Sequence, residues 1–187
     1  EDVLKRLGEQ HEEIKDLKRK VTNLERSGAV AEINQLKHKV HDLERRNRKQ
    51  NLEIHGIPRS ENEDFMAKLN ELAGQLDVPD LTTDQVVVTH RLASRPDKTP
   101  GIIARFASQA TRDLWLDKRS NLKRARSKIF ISKNLTQQEK SLLWETKEWA
   151  RAKGYQFVWY RNGKVFVREK DGARSYLIAR KDDMSKL

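Results

Sequence analysis

The 187-residue sequence contains no cysteine. Disulfide bonds, thiolate catalysis and cysteine-ligated zinc sites are therefore excluded. No apolar run approaches the roughly 20 residues that a membrane-spanning helix needs. A secretory signal is also missing, so we expect an intracellular protein of the cytoplasm or the nucleus that does not insert into membranes.

Residue patterns typical of enzymes are missing as well. The sequence has no paired catalytic carboxylates, no glycine-rich phosphate loop and no nucleophile elbow, and its five histidines show no metal-ligand spacing. His90, beside clusters of basic residues, is the one candidate acid or base. We therefore predict a protein without catalytic activity, cofactor or metal, and a nuclease is a weaker alternative.

Positive charge is abundant and unevenly distributed. The formal net charge is +11; residues 1–46 carry 11 basic and 10 acidic side chains, whereas residues 47–187 carry 28 and 18. A basic excess of this size favours binding to phosphates, on a nucleic acid or on an anionic membrane surface. The second part of the chain is therefore the predicted binding region.

Residues 1–47 are predicted to form a coiled coil, because apolar residues recur with a heptad spacing that is interrupted near residues 27–32. The predicted core positions, which we call the seam, are Leu7, Ile14, Leu17, Val21, Leu24, Ile33, Leu36, Val40 and Leu43. LKRKVTNLER at 17–26 is repeated as LKHKVHDLER at 36–45. Each copy contains a basic-apolar-x-x-apolar-Glu pattern, which favours a parallel homotrimer, with a dimer as the alternative. The chain begins at Glu1 in mid-heptad without a methionine, so we expect it to be a piece of a longer protein.

Residues 48–134 alternate predicted strands and helices in the order β-α-β-β-α-β. The predicted elements are strand 51–57, helix 64–78, strands 85–92 and 101–108, helix 109–120 and strand 128–134. This order predicts a four-stranded antiparallel sheet with two helices on one face, as in RNA-recognition-motif (RRM) and other ferredoxin-like domains. The alternation of residues predicts an inward face and an outward face on two of the strands. Inward residues are Leu52, Ile54, Ile102, Ala104 and Phe106, and outward residues are Glu53, His55, Ile103 and Arg105.

Because those outward residues include no stacking pair of aromatic side chains, we expect electrostatic contact with a nucleic-acid backbone rather than base reading. Arg105 is the candidate contact within a strand. The candidates in or beside loops are Arg91, Arg95, Lys118, Arg119, Lys123, Arg124, Arg126 and Lys128. Each cluster alone is also compatible with an ordinary solvated loop.

Residues 135–187 are predicted to form a small α+β domain. Thr136 and Glu139 have the spacing of a capping box, and Gly154 ends the helix. Asn162-Gly163 predicts a β-hairpin, with one face of aromatic and basic residues and the other of Val158, Tyr160, Val165 and Val167. We favour packing of the aromatic face on the helix, which is the commoner fate of such residues; the alternative leaves that face exposed for RNA.

The whole arrangement resembles the first-open-reading-frame protein of LINE-type retrotransposons and, more closely, the baculovirus few-polyhedra (FP) protein family. The resemblance rests on the coiled coil and on NLEIHGIP at 51–58, PGIIARF at 100–106, IFISKNLT at 129–136 and YQFVWYRNGKVFVRE at 155–169. It implies a trimeric coiled coil, an atypical RRM-like domain and a small C-terminal domain that together clamp single-stranded RNA. Proteins of this kind coat their RNA into a ribonucleoprotein and act as nucleic-acid chaperones.

The resemblance also implies roles for individual residues. Arg105 stands where the retrotransposon proteins have an RNA-binding arginine, and Arg91 and Arg95 fall near their loop arginines. The chain departs from the pattern at Lys140, where the family often has arginine, and near Tyr160, where the hairpin aromatic has no clean match. The C-terminal candidates for nucleic-acid binding are Lys140, Tyr160, Arg161, Lys164 and Arg168.

Taken together, the predicted fold class is α+β, with a coiled coil at 1–47, an RRM-like domain at 48–134 and a C-terminal domain at 135–187. The predicted function is non-enzymatic binding of single-stranded RNA with little sequence specificity, and single-stranded DNA is the alternative ligand. A viral or host scaffolding protein that acts through its coiled coil is the alternative function.

Overall fold

The computed structural model describes residues 2–26 and 28–187. Glu1 and Ser27 lie outside this description, and Ser27 is the first residue of the predicted heptad interruption. The chain divides into two compact units, residues 1–44 and residues 45–187. Among the described residues it contains six α-helices and two antiparallel sheets, which confirms the predicted α+β class.

The helices and strands are numbered in chain order. The α-helices are α1 (Asp2–Arg26), α2 (Ala29–Arg48), α3 (Phe65–Leu76), α4 (Gln109–Lys118), α5 (Ser120–Arg124) and α6 (Gln137–Lys153). The strands are β1 (Asn51–His55), β2 (Val86–Arg91), β3 (Ile102–Phe106), β4 (Phe130–Lys133), β5 (Phe157–Arg161), β6 (Lys164–Arg168) and β7 (Ser175–Ile178). Short 3-10 turns lie at Thr83–Gln85 and Lys181–Lys186.

The N-terminal unit consists of α1 and most of α2 and has no core of its own among its described residues. The seam residues are about half exposed or more, from 50% for Ile33 to 65% for Leu24. Charged neighbours pair along the helix surface, as Lys20 Nζ does with the Asp16 carboxylate at 2.8 Å. None of the helices described for this chain combines the length and hydropathy needed to cross a bilayer.

The first sheet has the strand order β2-β3-β1-β4, and every neighbouring pair is antiparallel. The predicted inward residues of β1 and β3 are confirmed, because Leu52, Ile54, Ile102, Ala104 and Phe106 are fully buried. They pack with residues of α3, α4 and α5 into one hydrophobic core, which includes Leu69, Leu72, Leu76, Trp115 and Leu122. One face of the sheet is therefore covered by helices, and we call the other its open face.

The second sheet has the order β5-β6-β7 and packs against α6. The predicted capping box is present, since Thr136 Oγ1 accepts from Glu139 N and Glu139 accepts from Thr136 N at 3.0 Å. Asn162 and Gly163 both have positive φ, 52° and 78°, as the tight turn of a hairpin requires. Local sequence chemistry therefore fixes both the start of α6 and the turn of the hairpin.

The favoured packing of the hairpin's aromatic face on α6 is wrong. Val165 and Val167 are 1% and 0% exposed and form a core with Ile178 of β7, against Leu142 and Leu143 of α6. The third strand explains why the face with Val165 and Val167 is the packed one. β7 adds Ile178 to that face and so extends its branched apolar surface. The aromatic and basic side chains of the hairpin are thereby left on the outer face of the second sheet.

Candidate nucleic-acid interface

The outer face of the second sheet brings together aromatic and cationic side chains from β5 and β6. We call this surface the aromatic-basic face; its residues are Phe157, Trp159, Arg161, Lys164, Phe166 and Arg168. Residues directly opposite each other in the antiparallel pair share a face, so this set follows from the observed register. Three of these positions, Arg161, Lys164 and Arg168, are sequence-predicted contacts.

The rings of the aromatic-basic face are arranged as stacks. The Trp159 and Phe166 ring centroids lie 5.6 Å apart with planes inclined by 16°. The Arg168 guanidinium lies over the Phe157 ring, 4.6 Å from its centroid, and also pairs with the Asp171 carboxylate at 3.0 Å. Such ring and guanidinium surfaces accept nucleic-acid bases by stacking.

Exposure on this face suits a ligand. The Phe157 residue is 38% exposed, although it is a large apolar side chain. Arg161 and Lys164 are exposed where the two strands meet the turn, so their charges remain in reach of solvent and phosphates. The face can thus stack bases at its centre and contact phosphates at the end near the turn.

The open face of the first sheet has a carboxylate at its centre. The Glu53 residue is only 5% exposed, and its Oε1 accepts hydrogen bonds from Asn134 Nδ2 at 2.6 Å and from Lys140 Nζ at 2.8 Å. His55 Nε2 lies 3.5 Å from its other oxygen. Burial alone would raise the pKa of Glu53, but the hydrogen bonds from His55, Lys140 and Asn134 outweigh it and lower the pKa to about 2. The centre of this face is therefore a buried, ionised carboxylate with its own partners.

Two sequence-predicted contacts, Lys140 and Tyr160, are engaged where the two sheets meet. Lys140 holds Glu53 and is about half exposed. The Tyr160 hydroxyl donates to Glu139 Oε1 at 2.6 Å, and burial together with this hydrogen bond raises the pKa of Tyr160. Both side chains thus link α6 or the hairpin to neighbouring elements.

Arg105 lies on the open face of the first sheet, in β3 between Asn51 of β1 and Val88 of β2. It is partly exposed, and its Nε is buried without a hydrogen-bond partner among the described residues. A buried guanidinium N–H without an acceptor is costly, which suits a residue that binds an anionic ligand. The position agrees with the predicted outward orientation.

Arg91 has many protein partners. Its guanidinium donates to both carboxylate oxygens of Glu63, at 2.9 and 2.6 Å, and to the backbone carbonyls of Ile57, Pro58 and Pro100. The guanidinium hydrogen bonds hold the pKa of Glu63 well below its usual range. Arg91 thus ties the loop between β1 and α3 to the loop between β2 and β3, whereas Arg95, four residues on, is exposed in the loop after β2.

The predicted basic run lies on α4, α5 and the connection to β4. Its members Arg119, Lys123, Arg124, Arg126 and Lys128 are exposed, and Lys118 lies 3.9 Å from the Asp77 carboxylate. Arg126 has a φ of 52°, in the left-handed region, where the chain turns into β4. The run is a charged rim beside the first sheet, separate from the aromatic-basic face of the second.

Sequence reasoning missed one aromatic contact on the open face of the first sheet. Phe130 of β4 is 59% exposed, and its ring stacks on His55 with centroids 4.7 Å apart and planes at 15°. The two residues are cross-strand partners. The pairing register of β1 with β4 was needed to find them, because 75 positions separate them in the chain.

The part of the chain that the structure describes holds no group of three or more histidines and carboxylates placed to bind a metal ion. The comparison with protein families concerns the C-terminal part. Residues 136–187 are similar to Baculovirus FP protein domain 2. The match runs from the cap of α6 through β5, β6 and β7, so the FP-domain-2-like segment contains the whole aromatic-basic face.

This match supports the expected similarity to the FP family over a little more than a quarter of the chain. The resemblance to retrotransposon proteins stays a prediction. No curated protein matches the chain at a significant level.

Proposed function

We propose that this protein binds single-stranded RNA, without catalysis and with little sequence specificity, and coats it into a ribonucleoprotein. The observation that carries this proposal is the aromatic-basic face, where partly exposed stacked rings and a partly exposed arginine lie beside the exposed cations Arg161 and Lys164. Every nucleic-acid base has a π face, so stacking of this kind tolerates any sequence. Chaperone activity, meaning strand exchange without an energy source, follows from contacts that are individually weak.

The first sheet supports the proposal in a secondary way. Its strand order with helices on one face is what an RRM-like domain would have, and its open face carries Arg105 and the exposed Phe130 ring. The charged rim of α4 and α5 supplies long-range attraction to phosphates. We assign this sheet the role of guiding the strand, and the second sheet that of stacking its bases.

Self-association through a parallel coiled coil is part of the proposal. The seam residues expose large apolar side chains that a second and third copy of the chain would bury. Linking several weak RNA sites raises the affinity for long strands by roughly 100- to 10,000-fold through effective concentration. We propose a homotrimer, in which three binding units act on one strand.

Two experiments test these proposals separately. Fluorescence anisotropy of a labelled single-stranded RNA, titrated at several salt concentrations, should show binding that weakens steeply with salt; no binding at low salt would overturn RNA binding. Sedimentation equilibrium should give three chains per particle, and Leu36→Glu in the seam should lower this number. Arg19→Gln, which removes an exposed cation paired with Asp16 of the same helix, should not lower it. A monomeric wild-type protein would contradict the coiled coil.

A scaffolding protein is the second candidate, favoured by the exposed seam. It would bind protein partners through its N-terminal helices and would not need the aromatic-basic face. RNA affinity that is absent in the wild-type protein, together with intact self-association, is the result that would favour it.

A further inference from the structure

A cavity of about 270 Å³ lies where the end of α2, α4, β4 and the hairpin turn meet. Five basic side chains line it, together with two carboxylates; the basic residues are Arg45, Arg48, Lys49, Arg112 and Lys133, and the acidic ones are Asp113 and Glu139. Of the residues predicted to bind nucleic acid, Tyr160 alone is among its lining residues. The sequence gives little sign of this site, because its cations come from three separate segments.

Both carboxylates are engaged in contacts of their own. Glu139 accepts the Tyr160 hydroxyl at 2.6 Å and the backbone N–H of Thr136 at 3.0 Å. Asp113 Oδ1 lies 2.5 Å from Arg112 Nη1. The cavity wall thus has five cations and two carboxylates, and one of these carboxylates, Glu139, already caps α6.

Arg112 is the most telling of these residues. It is only 6% exposed, and its Nε has no hydrogen-bond partner among the residues that the structure describes. A buried donor of a charged group without an acceptor is unfavourable unless a ligand supplies one. Its Nη1 is held by Asp113, which leaves the guanidinium fixed in place beside the cavity.

Lys133 adds a second desolvated cation. Burial, and next the positive charges of Arg112 and Arg119, lower its pKa. Its Nζ lies 5.7 Å from the centre of the Tyr160 ring. The positive charge of Lys133 is thus repelled by the neighbouring arginines, and an anion bound between these cations would reduce that repulsion.

The turn of the hairpin completes the wall. Gly163 has a φ of 78°, a conformation that other residues rarely adopt, and it lies directly against Nη1 of Arg45. The turn is flanked by Arg161 and Lys164 of the aromatic-basic face. The turn residues Asn162 and Gly163, which line the cavity, are thus the chain neighbours of two cations of the aromatic-basic face.

We propose that this cavity binds a single phosphate group. Several converging guanidinium and ammonium groups match the charge and the acceptor oxygens of phosphate better than those of a carboxylate. The inference deepens the proposed function and rests on it only for the source of the phosphate, which is either an internal phosphate of the bound RNA or its terminal phosphate.

The first test uses inorganic phosphate and the full chain, without RNA. Titration calorimetry in a phosphate-free buffer should show binding to the wild-type protein, weakened about tenfold or more in Lys133→Gln, as expected for loss of a charge-assisted contact. Lys133→Arg should keep the binding. Lys147→Gln, which removes an exposed cation from α6, should leave it unchanged. Wild-type protein that does not bind phosphate, or equal binding by Lys133→Gln and Lys147→Gln, would overturn the site.

The second test distinguishes the sources with two RNAs of one sequence, one 5′-phosphorylated and one 5′-hydroxyl. Tighter binding of the phosphorylated strand that disappears in Lys133→Gln identifies a terminal phosphate; equal loss for both strands identifies an internal one. If Lys133→Gln binds both RNAs as the wild type does, the cavity is not part of the RNA site. Phosphate binding without any RNA binding would retain the cavity as an anion site and refute the proposed function instead.

Discussion

The two sheets of residues 45–187 are built alike but present different open faces. The first sheet packs one face on α3, α4 and α5, and the second packs one face on α6. On the first sheet a carboxylate, Glu53, occupies the centre of the open face and is held by Lys140 and Asn134. On the second sheet the stacked rings of Trp159 and Phe166 lie beside exposed cations. A net positive charge therefore does not locate a binding surface; the contacts that each cation already makes decide which face can take a ligand.

The largest expected effect concerns the carboxylate of the first sheet. The folded pKa of Glu53, about 2, lies below its ordinary value of 4.5, so its contribution to stability is present above pH 4.5 and is lost as pH falls towards 2. This contribution is about 3 kcal/mol, from the size of the pKa difference. Urea unfolding of Glu53→Gln should show that loss at neutral pH.

The free energies of unfolding of the wild-type protein and of Glu53→Gln should become equal in acid, because protonated Glu53 resembles glutamine. Other carboxylates titrate equally in both proteins and cancel in the difference. A difference in the free energy of unfolding that does not change with pH would contradict the role given to Glu53.

Phe166 and Val167 are neighbours on opposite faces of β6, so their substitution should have opposite consequences. Val167→Ala should lower the free energy of unfolding by about 2 kcal/mol, because it deletes fully buried methyl groups. Phe166→Ala should weaken RNA binding by about 2 kcal/mol, because it removes half of an aromatic stack, whereas Val167→Ala should leave RNA binding nearly unchanged. Chemical unfolding and RNA anisotropy on both variants check this. Reversed phenotypes would mean that the aromatic face is the packed one.

Arg105 tests whether the open face of the first sheet also contacts RNA. Arg105→Ala should weaken RNA binding by roughly 1–3 kcal/mol, measured by anisotropy at fixed salt. The control is Thr89→Ala. Val88 of β2 pairs with Arg105, and Thr89, the next residue, lies on the opposite face of β2, so its substitution should not change RNA binding. Unchanged affinity in Arg105→Ala would restrict the binding surface to the second sheet.

The smallest effect is expected on the charged rim of α5. Lys123→Gln and Arg124→Gln each remove an exposed cation and should each weaken RNA binding by less than about 1 kcal/mol. Each should also reduce the slope of log affinity against log salt by about 1 if the cation contacts a phosphate. A slope equal to that of the wild type in both variants would mark the rim as solvated only.

Local chemistry made much of the second sheet and α6 predictable. The capping box of Thr136 and Glu139 and the positive φ of Asn162 and Gly163 are properties of a few adjacent residues. The packed face of the hairpin was not predictable, because both faces of β5 and β6 carry large apolar residues. The choice depends on Ile178 of β7, which lies outside the hairpin and pairs with Val165 of β6.

The features of the candidate site that the sequence did not predict are contacts between segments that lie far apart in the chain. Lys140 reaches Glu53 across 87 positions, and Phe130 meets His55 through strand register. The alternation of β1 and β3 did predict which of their residues are buried, because a period of two is a local property. Sequence patterns thus predicted which residues lie on each face of a single strand. Which residues contact those faces could be identified only from the structure.

Binding of RNA by the aromatic-basic face is tested most directly by RNA anisotropy over a salt series with two variants of that face, Trp159→Ala and Lys164→Gln. Stacking is largely insensitive to salt, so Trp159→Ala should lower the affinity at every salt concentration without changing the slope of log affinity against log salt. Lys164→Gln should reduce that slope by about 1. If both variants bind RNA as the wild type does throughout the series, the aromatic-basic face is not the RNA-binding surface.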